Sequence, residues 1–417
     1  MDIIIGAGIS GLSYAAASQG DYLIIEQEDR IGGYCKTIKQ EGFVWDYSGH
    51  FFHFQHPEIR DYVMERIAAD EMLNVEKHTQ IYYADRLVDF PFQMNIHQLP
   101  QEEFIDCLYD LFTISPTAEN DLHSFKSMLY AKFGRSIAEK FLIPYNTKLY
   151  ATDLDKLDID AMGRFFPYAD REQIVRNFRH PETRSYNASF LYPKEGCERI
   201  VKSIASHVDP ARIALGETVS SIDTATHTVY TSRRTLHYDR LISTMPLPRL
   251  LESCSIAVPE GIYTWNKVLV FNLGFDRKGK ETRNCWIYFP QRDLVFYRVG
   301  FYDNIIGQDR MSLYVEIGFP QKQANLNIAE LREQTLDDLQ RVGIVAPDQQ
   351  LVAEHHVVMN PAYVHITKQS EADKQQRFAQ LAESQVYSIG RYGEWKYCSL
   401  EDNIFDAFAL AKRLATR

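Results

Sequence analysis

The sequence is poor in cysteine, with 6 among 417 residues, and no two of them form a C-x-x-C pair. No group of Cys and His has the spacing of a zinc site, so we expect neither a disulfide scaffold nor a metal centre. No apolar run reaches the ~18 residues of a transmembrane helix. The apolar run at residues 2–5 leaves no room for a signal peptide before it. These absences predict a reduced, cytoplasmic protein that does not contact a membrane.

The chain also lacks an excess of positive charge. It has 45 Lys and Arg against 56 Asp and Glu, which gives a net charge of −11. This balance argues against a general surface for polyanions, so we expect no nucleic-acid partner, although a local basic pocket for one anionic ligand remains compatible with it. Hydrophobic residues make up 45% and charged residues 24%, as in ordinary globular proteins. At about 150 residues per domain, the length predicts two to three domains.

A glycine-rich turn follows the first apolar run directly. Gly6, Gly8 and Gly11 fit the pattern G-x-G-x-x-G between residues 2–5, which read as a buried strand, and a helix rich in small residues. The first glycine permits a tight turn and the second lets the backbone approach a pyrophosphate. The third lets the helix pack closely against the strand, and the helix N-terminus faces the phosphates. The turn therefore predicts a dinucleotide site.

An acidic residue stands where such a site needs one. Glu26 lies about 20 residues after Gly6, at the end of a second predicted strand, where its carboxylate can accept hydrogen bonds from ribose hydroxyls. The pattern continues as Glu26-x-x-x-Arg30-x-Gly32-Gly33. This extension resembles the flavoprotein superfamily of amine oxidases, protoporphyrinogen oxidases and UDP-galactopyranose mutases, in which it continues the contact with FAD.

Two more segments favour FAD over NAD. Gly390 and Arg391 belong to a second glycine turn, Ser-Ile-Gly-Arg-Tyr-Gly, before a predicted C-terminal helix. A turn of this kind brings backbone amides to the flavin ring. The pair Gly49-His50 resembles the glycine and histidine that lie beside the isoalloxazine in the superfamily. We therefore predict FAD as the cofactor, active when reduced.

The remaining pattern predicts an α/β protein with a discontinuous Rossmann-like FAD domain, because further strand and helix candidates lie far apart in the chain. Apolar residues at helical spacing, such as Phe125, Met128, Leu129 and Phe133, indicate an inserted helical subdomain. Alternating β-forming residues at 264–318 indicate an antiparallel sheet. The predicted divisions are 1–75, 191–250 and 384–417 for the FAD domain, 97–187 for the helical subdomain with a mobile loop at 168–187, and 76–96 and 251–383 for an antiparallel substrate domain.

A narrower resemblance covers most of the chain. Several segments are similar, in the same order, to those of the eukaryotic type of UDP-galactopyranose mutase. They are Pro91-Phe92-Gln93, residues 141–151, Met162-Gly163-Arg164, residues 187–193, residues 285–290, Phe296-Tyr297-Arg298, Pro361-Ala-Tyr363 and residues 390–397.

The resemblance implies roles for individual residues. Arg164 and Arg298 correspond to arginines that converge on the substrate diphosphate, and Tyr363 and Tyr397 to tyrosines that contact its phosphates. The segment at 141–151 corresponds to the uridine-binding helix, in which Phe141 and Tyr145 sandwich the uracil and Asn146 reads its edge. The other substrate candidates from these segments are Gln93, Tyr150, Asn187, Trp286 and Tyr288. Arg164, Arg298 and His50 are the catalytic candidates.

The sequence also departs from that family. Tyr150 stands where the family has a tryptophan, Phe90 stands where a tyrosine is usual, and the stretch after Tyr397 is short. These differences leave open which sugar is used and whether the base is strictly uracil.

The resemblance implies an isomerase of cell-surface polysaccharide biosynthesis that interconverts the pyranose and furanose forms of UDP-galactose or a related nucleotide sugar. Reduced FAD would attack the anomeric carbon through N5, so the partners are a UDP-sugar and an external reductant, and a homo-oligomer is left open. One alternative is an FAD oxidoreductase like the amine or protoporphyrinogen oxidases. Another is a flavin-containing binding protein without turnover.

Overall fold

The computed structural model describes residues 1–114, 122–179 and 188–415. The predicted substrate residue Asn187 and the end of the predicted mobile loop lie outside the described residues. The strands, in chain order, are β1 Asp2–Ile5, β2 Tyr22–Ile25, β3 Thr37–Gln40, β4 Phe43–Asp46, β5 Met72–Glu76, β6 Thr79–Tyr83, β7 Arg86–Asp89, β8 Ser189–Pro193, β9 Ile213–Ala214, β10 Val219–Asp223, β11 Thr228–Thr231, β12 Thr235–His237, β13 Arg240–Ser243, β14 Asn266–Phe275, β15 Trp286–Tyr288, β16 Arg298–Phe301, β17 Ser312–Pro320, β18 Leu351–Met359 and β19 Val386–Ser388.

The helices, in chain order, are α1 Ile9–Ala17, α2 Pro57–Met64, α3 Gln101–Thr113, α4 Phe125–Ile137, α5 Ile143–Tyr150, α6 Arg171–Asn177, α7 Glu198–Ala205, α8 Leu247–Ser253, α9 Tyr302–Ile306, α10 Ile328–Arg341, α11 Lys368–Glu383, α12 Gly390–Gly393 and α13 Leu400–Ala415. Among the described residues, no helix combines the length and the apolar character needed to cross a bilayer.

A parallel five-stranded sheet in the order β19-β13-β1-β2-β9 forms the base of the predicted FAD domain. Its strands come from the beginning, the middle and the end of the chain, as the dispersed apolar runs predict. β1 is buried along its whole length because it lies inside the sheet, with β13 on one side and β2 on the other. Helices α1 and α13 pack together against this sheet, and their apolar side chains share one core with those of α7. The predicted α/β class is confirmed.

A larger sheet has the order β18-β14-β17-β16-β15-β6-β7. Most neighbouring strands are antiparallel, but β15 pairs with β6 in parallel, with Trp286 opposite Thr79. The prediction of a purely antiparallel sheet is wrong at this position. About two hundred residues separate the two strands, so no hairpin turn forces them to run in opposite directions. The sheet is therefore mixed.

The segment between β7 and β8 is mainly helical. α4 and α5 are joined by a π-helical turn at Ala138–Leu142, and their apolar faces form a core with α3. The prediction of a loop at 168–187 is wrong for the first part of that range, because α6 lies there. Asp170 caps this helix by accepting a hydrogen bond from the Gln173 backbone, and Gln173 caps it in return. The division into domains and the mobility of the loop stay predictions.

Candidate active site

A cavity of about 560 Å3 lies between the parallel sheet and the mixed sheet. This is within the range of small-molecule and cofactor sites, ~300–1,000 Å3. Its wall combines residues of both glycine turns with the pair Gly49-His50 and with parts of the segments at 296–298, 361–363 and 390–397. The predicted residues in the wall are Gly6, Gly8, Glu26, Gly32, Gly33, Gly49, His50, Arg298, Tyr363, Gly390, Arg391 and Tyr397.

The first glycine turn shapes one end of the cavity. A Cβ atom on Gly11 would collide with the carbonyl oxygen of Gly6, so this glycine is needed for the helix to pack against the strand. A Cβ atom on Gly8 would meet only the backbone of Gly33, 3.9 Å from its Cα atom. Gly8 therefore leaves open space beside the N-terminus of α1. An anionic pyrophosphate fits such a position.

The Glu26 carboxylate is buried next to this turn. Its Oε2 accepts a hydrogen bond from the Ala7 backbone at 2.7 Å and its Oε1 accepts one from the Glu28 backbone at 2.9 Å. Burial raises the pKa of Glu26, although the hydrogen bond from Ala7 acts in the opposite direction. Each carboxylate oxygen has a further lone pair for a ribose hydroxyl. Glycine turn and carboxylate thus fit a dinucleotide.

Arg30 lies elsewhere. Its guanidinium Nη1 is 3.9 Å from Glu198 Oε2, and within the described ranges the cavity wall does not include it. Gly11 is also outside the wall because it packs behind the turn. The predicted contact of Arg30 with the cofactor stays a prediction.

The second glycine turn is tied to the first helix. Gly390 has a φ of +85°, a region that favours glycine. The Arg391 backbone donates to Asn403 Oδ1 at 2.9 Å, and the Ser10 hydroxyl donates to the same oxygen at 3.1 Å. One side chain on α13 therefore holds α1 and the second turn together at the cavity, although their residues are separated by most of the chain.

Arg391 lies against a pair of tyrosines. Its guanidinium carbon is 4.7 Å from the Tyr397 ring centroid and 5.2 Å from that of Tyr363. The two rings stack on each other, with centroids 5.9 Å apart and an interplanar angle of 16°. A cation and two phenol groups consequently face the same cavity. Such a combination is suited to an anionic ligand.

Arg298 is locked to a buried carboxylate. Its Nε donates to Glu316 Oε2 at 2.8 Å and its Nη2 to Oε1 at 2.7 Å, and Glu316 is 1% exposed. Burial raises the pKa of Glu316, but the charge of Arg298 and the hydrogen bonds from Arg298, Ser48 and Tyr297 together lower it below its ordinary value. Burial likewise lowers the pKa of Arg298, but Glu316 and neighbouring tyrosines together raise it above its ordinary value. Both groups are therefore charged at neutral pH. Sequence reasoning missed Glu316, although a lone charge in the apolar strand β17 was a usable signal.

His50 is a neutral group in this wall. Burial, and to a smaller extent the positive charge of Arg391, lowers its pKa to about 4. Gly49 before it lies close to Tyr314, because a Cβ atom on the glycine would be 2.6 Å from that hydroxyl oxygen. His50 can thus donate or accept a hydrogen bond, but it carries no charge at neutral pH.

Arg164 does not reach the cavity wall among the described residues, whereas its neighbour Phe165 does. The guanidinium Nη2 donates to both carboxylate oxygens of Asp402, at 2.6 and 2.8 Å, and Nη1 donates to Gln55 Oε1 at 2.5 Å. Its side chain is 41% exposed. Because Asp402 lies on α13 beside the cavity, Arg164 is at the rim. The predicted convergence of Arg164 and Arg298 on a bound diphosphate stays a prediction.

Phe141 and Tyr145, the predicted uracil sandwich, stack directly on each other, with ring centroids 5.2 Å apart at an angle of 14°. The cause is the spacing i, i+4, which brings the two side chains together on one helical face. A base between them would need about 7 Å, which is two layers of van der Waals contact, so the two rings would have to separate. The sandwich stays a prediction.

The remaining substrate candidates that the structure describes are not in the cavity wall; Gln93, Asn146, Tyr150 and Trp286 are buried, and Tyr288 is half-buried. Asn146 donates to the Leu142 carbonyl at 2.7 Å, and Gln93 donates to the Pro167 carbonyl. Tyr150 packs edge-on against Tyr363, with centroids 6.0 Å apart. The others, Trp286 and Tyr288, lie on β15 in contact with Phe51 and Tyr145 respectively.

Three side chains from distant segments form a compact group at the cavity. Ligand atoms of Cys35, His50 and Cys197 all lie within 4.8 Å of one another. Sequence spacing did not reveal this group, because 162 residues separate the two cysteines.

Comparison with known proteins places these features in context. A family model described as "Flavin containing amine oxidoreductase" matches residues 9–399. A crystal structure of reduced UDP-galactopyranose mutase superposes with a TM-score of 0.91 at 23% identity, covering 100% of this chain and 95% of that one. A putative protoporphyrinogen oxidase from Exiguobacterium sp. 255-15 superposes with a TM-score of 0.78 at 15% identity, covering 99% and 98%. These likenesses concern the fold.

Two curated relatives share shorter segments. The chloroplastic protoporphyrinogen oxidase of Nicotiana tabacum is 22% identical over 170 residues, which cover 38% of this chain and 30% of that protein. The all-trans-retinol 13,14-reductase of Danio rerio is 36% identical over 75 residues, 17% of this chain and 12% of that protein. The chain thus spans less than half the length of these curated relatives.

Proposed function

The chain belongs to the flavin-containing amine oxidoreductase family and binds FAD, and from this premise we propose that it is a flavin-dependent mutase. It would interconvert the pyranose and furanose forms of UDP-galactose or a related nucleotide sugar. The observation that carries this proposal is the anion-binding wall beside the cofactor cradle: Arg298 and Arg391, with the stacked pair Tyr363 and Tyr397. The likeness of the fold to UDP-galactopyranose mutase supports it.

The reaction separates UDP from the sugar and later rejoins them. Reduced FAD, when bound, supplies a nucleophilic nitrogen for the anomeric carbon. The task of the protein is to hold the departing diphosphate and to stabilise its charge. Arg298 uses Nε and Nη2 for Glu316, which leaves its Nη1 amine for a phosphate oxygen. Tyr363 and Tyr397 can add hydroxyl donors.

Arg164 would act at the rim. We propose that the diphosphate replaces Asp402 as its partner, which would bring the guanidinium from the rim toward Arg298. The pair with Asp402 is solvent-accessible, so exchanging it for a phosphate costs little.

The face that α5 presents would bind the base. Oδ1 of Asn146 is buried and has no hydrogen-bond partner among the described residues, so it can accept from a uracil N–H group. The uracil would then stack on one side of the Phe141–Tyr145 pair.

A second candidate is an oxidoreductase acting on an amine or a porphyrinogen. The family match favours it, because that family is described by amine oxidation chemistry. The wall of the cavity argues against a protonated amine, because Arg391 would repel it, whereas the charge of Arg298 is balanced by Glu316. We place the enzyme in the cytoplasm with a UDP-sugar and an external reductant as partners.

Product analysis tests the proposal. Anaerobic, dithionite-reduced enzyme is incubated with UDP-galactopyranose or its N-acetyl analogue, and the products are separated by chromatography. We expect a furanose product from reduced enzyme and none from oxidised enzyme, without stoichiometric use of the reductant. Peroxide formation from an amine in air, with no isomer from either sugar, would support the oxidoreductase instead. Within the same assay, Arg164→Ala tests the proposed role of Arg164 at the diphosphate. Its matched control is Arg176→Ala, which removes an exposed ion pair with Glu172 on α6.

A further inference from the structure

Two thiols meet at the wall of the FAD cavity. Cys35 follows the Gly32-Gly33 turn and lies in the wall, whereas Cys197 is fully buried at the N-terminus of α7. Their sulfur atoms lie within 4.8 Å of each other, and the Cys197 thiol is in hydrogen-bond contact with Cys35. An S–S bond is ~2.05 Å long, so small side-chain movements separate this arrangement from a disulfide.

A carboxylate lies behind the buried thiol. The Cys197 backbone donates to both oxygens of Asp46, at 3.1 and 3.2 Å, and the Cys197 thiol is also in contact with that carboxylate. Asp46 is fully buried, and burial raises its pKa to about 6. The order from the cavity inward is thus Cys35, Cys197, Asp46. The carboxylate is in contact with the inner thiol and is placed to accept its proton when the S–S bond forms.

Cys35 and Cys197, together with His50, could alternatively bind a metal ion. A metal ion needs both sulfurs as thiolates. Burial, the contact with Cys35 and the negative charge of Asp46 raise the pKa of Cys197 well above its ordinary value. A disulfide is neutral and needs no lasting charge at this position. The surroundings therefore favour oxidation of the two thiols over metal binding.

We propose that Cys35 and Cys197 form a dithiol–disulfide pair that exchanges two electrons with the FAD held in the same cavity. In the forward direction the two S–H bonds break and one S–S bond forms. Both electrons pass to oxidised FAD, which becomes reduced. The proton of Cys197 goes to Asp46, and the proton of Cys35 leaves into the cavity. A small dithiol reductant restores the pair by exchange at Cys35. The proposal requires bound FAD and is independent of the mutase reaction.

Reductive titration of the holoenzyme tests this pair. Air-oxidised protein is titrated with dithionite under argon while the flavin absorbance and the free thiols in denaturant are followed. We expect the wild type to consume twice as many reducing equivalents per flavin as Cys35→Ser or Cys197→Ser, and to gain two thiols. A peptide map of the oxidised protein should show a cross-link between Cys35 and Cys197. Cys254→Ser is the control, since that buried cysteine packs in a different core, and it should titrate like the wild type.

Equal consumption by the wild type and Cys35→Ser would overturn the proposal. So would a map in which all six cysteines remain thiols after oxidation, or in which other cysteines are joined. Tight uptake of Zn2+ by the holoenzyme that is lost in both cysteine variants, with no change in electron count, would also overturn it and identify a metal site. If Cys197→Ser does not fold, Cys35→Ser and the peptide map decide, because Cys35 borders open space.

Discussion

Replacing Arg298 by Met should reveal two separate effects of one residue. Arg298→Met leaves the Glu316 carboxylate, which is 1% exposed, without its cationic partner. Breaking one side of a buried pair typically costs about 3–5 kcal/mol. The double variant Arg298→Met/Glu316→Gln removes both charges and keeps an acceptor for the Ser48 hydroxyl, so it should recover most of that loss. Urea unfolding at pH 7 measures the free energy of unfolding of the single and the double variant.

The pH dependence should differ in sign between the proteins. In the wild type Arg298 lowers the pKa of Glu316, so the stability from this carboxylate is present at neutral pH and is lost as the pH falls through its folded pKa. In Arg298→Met burial is the largest remaining influence and raises that pKa, against the hydrogen bonds from Ser48 and Tyr297. The variant should therefore gain stability from this carboxylate as the pH falls from 7 to about 5, a range in which the contribution in the wild type stays constant.

UDP binding separates the role in the site from the role in stability. Loss of charge-assisted hydrogen bonds worth about 1.5–3 kcal/mol should weaken UDP binding roughly tenfold to a hundredfold in both Arg298 variants, with FAD content unchanged. Arg240→Met is the control, because Arg240 pairs with the buried Asp2 away from the cavity. It should lose stability and keep UDP affinity. If the double variant holds FAD and binds UDP like the wild type, Arg298 does not contact the diphosphate.

Further predictions concern the cofactor, the rim and one histidine. Gly8→Ala should fold normally and bind FAD at least tenfold more weakly than the wild type, whereas Gly11→Ala should lower the stability of the protein. Thermal unfolding and FAD titration distinguish these two effects. FAD binding by Gly8→Ala that equals that of the wild type would contradict the reasoning. The FAD should be non-covalent, so that acid precipitation releases it into the supernatant. Arg164→Ala should weaken UDP binding about tenfold yet change stability by less than about 1 kcal/mol in urea unfolding, as expected for a partly exposed pair. Burial lowers the pKa of His365 to about 4, so stability should fall as the pH drops from about 6.5 to 4, by up to ~3 kcal/mol, and His365→Gln should flatten this slope.

Local sequence was sufficient for the cofactor cradle. Gly6, Gly8, Gly11 and Glu26 lie within one strand–turn–helix–strand unit, whose geometry depends on neighbours in the chain and on the small size of glycine. The structure places Gly6, Gly8 and Glu26 in the wall of one cavity, with Gly11 packed behind the turn and the carboxylate bound to the turn. The same holds for the second turn at Gly390, where a positive φ restricts the residue type.

Contacts between distant segments were decided only by the tertiary structure. The pairing of Arg298 with Glu316 depends on the register of β16 against β17, and that of Arg164 with Asp402 joins residues 238 positions apart. A sequence pattern names the charged residues but not their partners, because a partner is set by which strands and helices pack together. Periodicity and the glycine motif thus indicated the elements and the dinucleotide site, and the resemblance to known flavoproteins supplied FAD and most of the candidate residues. Only the tertiary structure showed which side chains line the same cavity, which charges are balanced by a partner, and that Cys35 and Cys197 are in contact. These contacts form when separate segments fold onto one cavity, since only close packing brings such groups within hydrogen-bond distance.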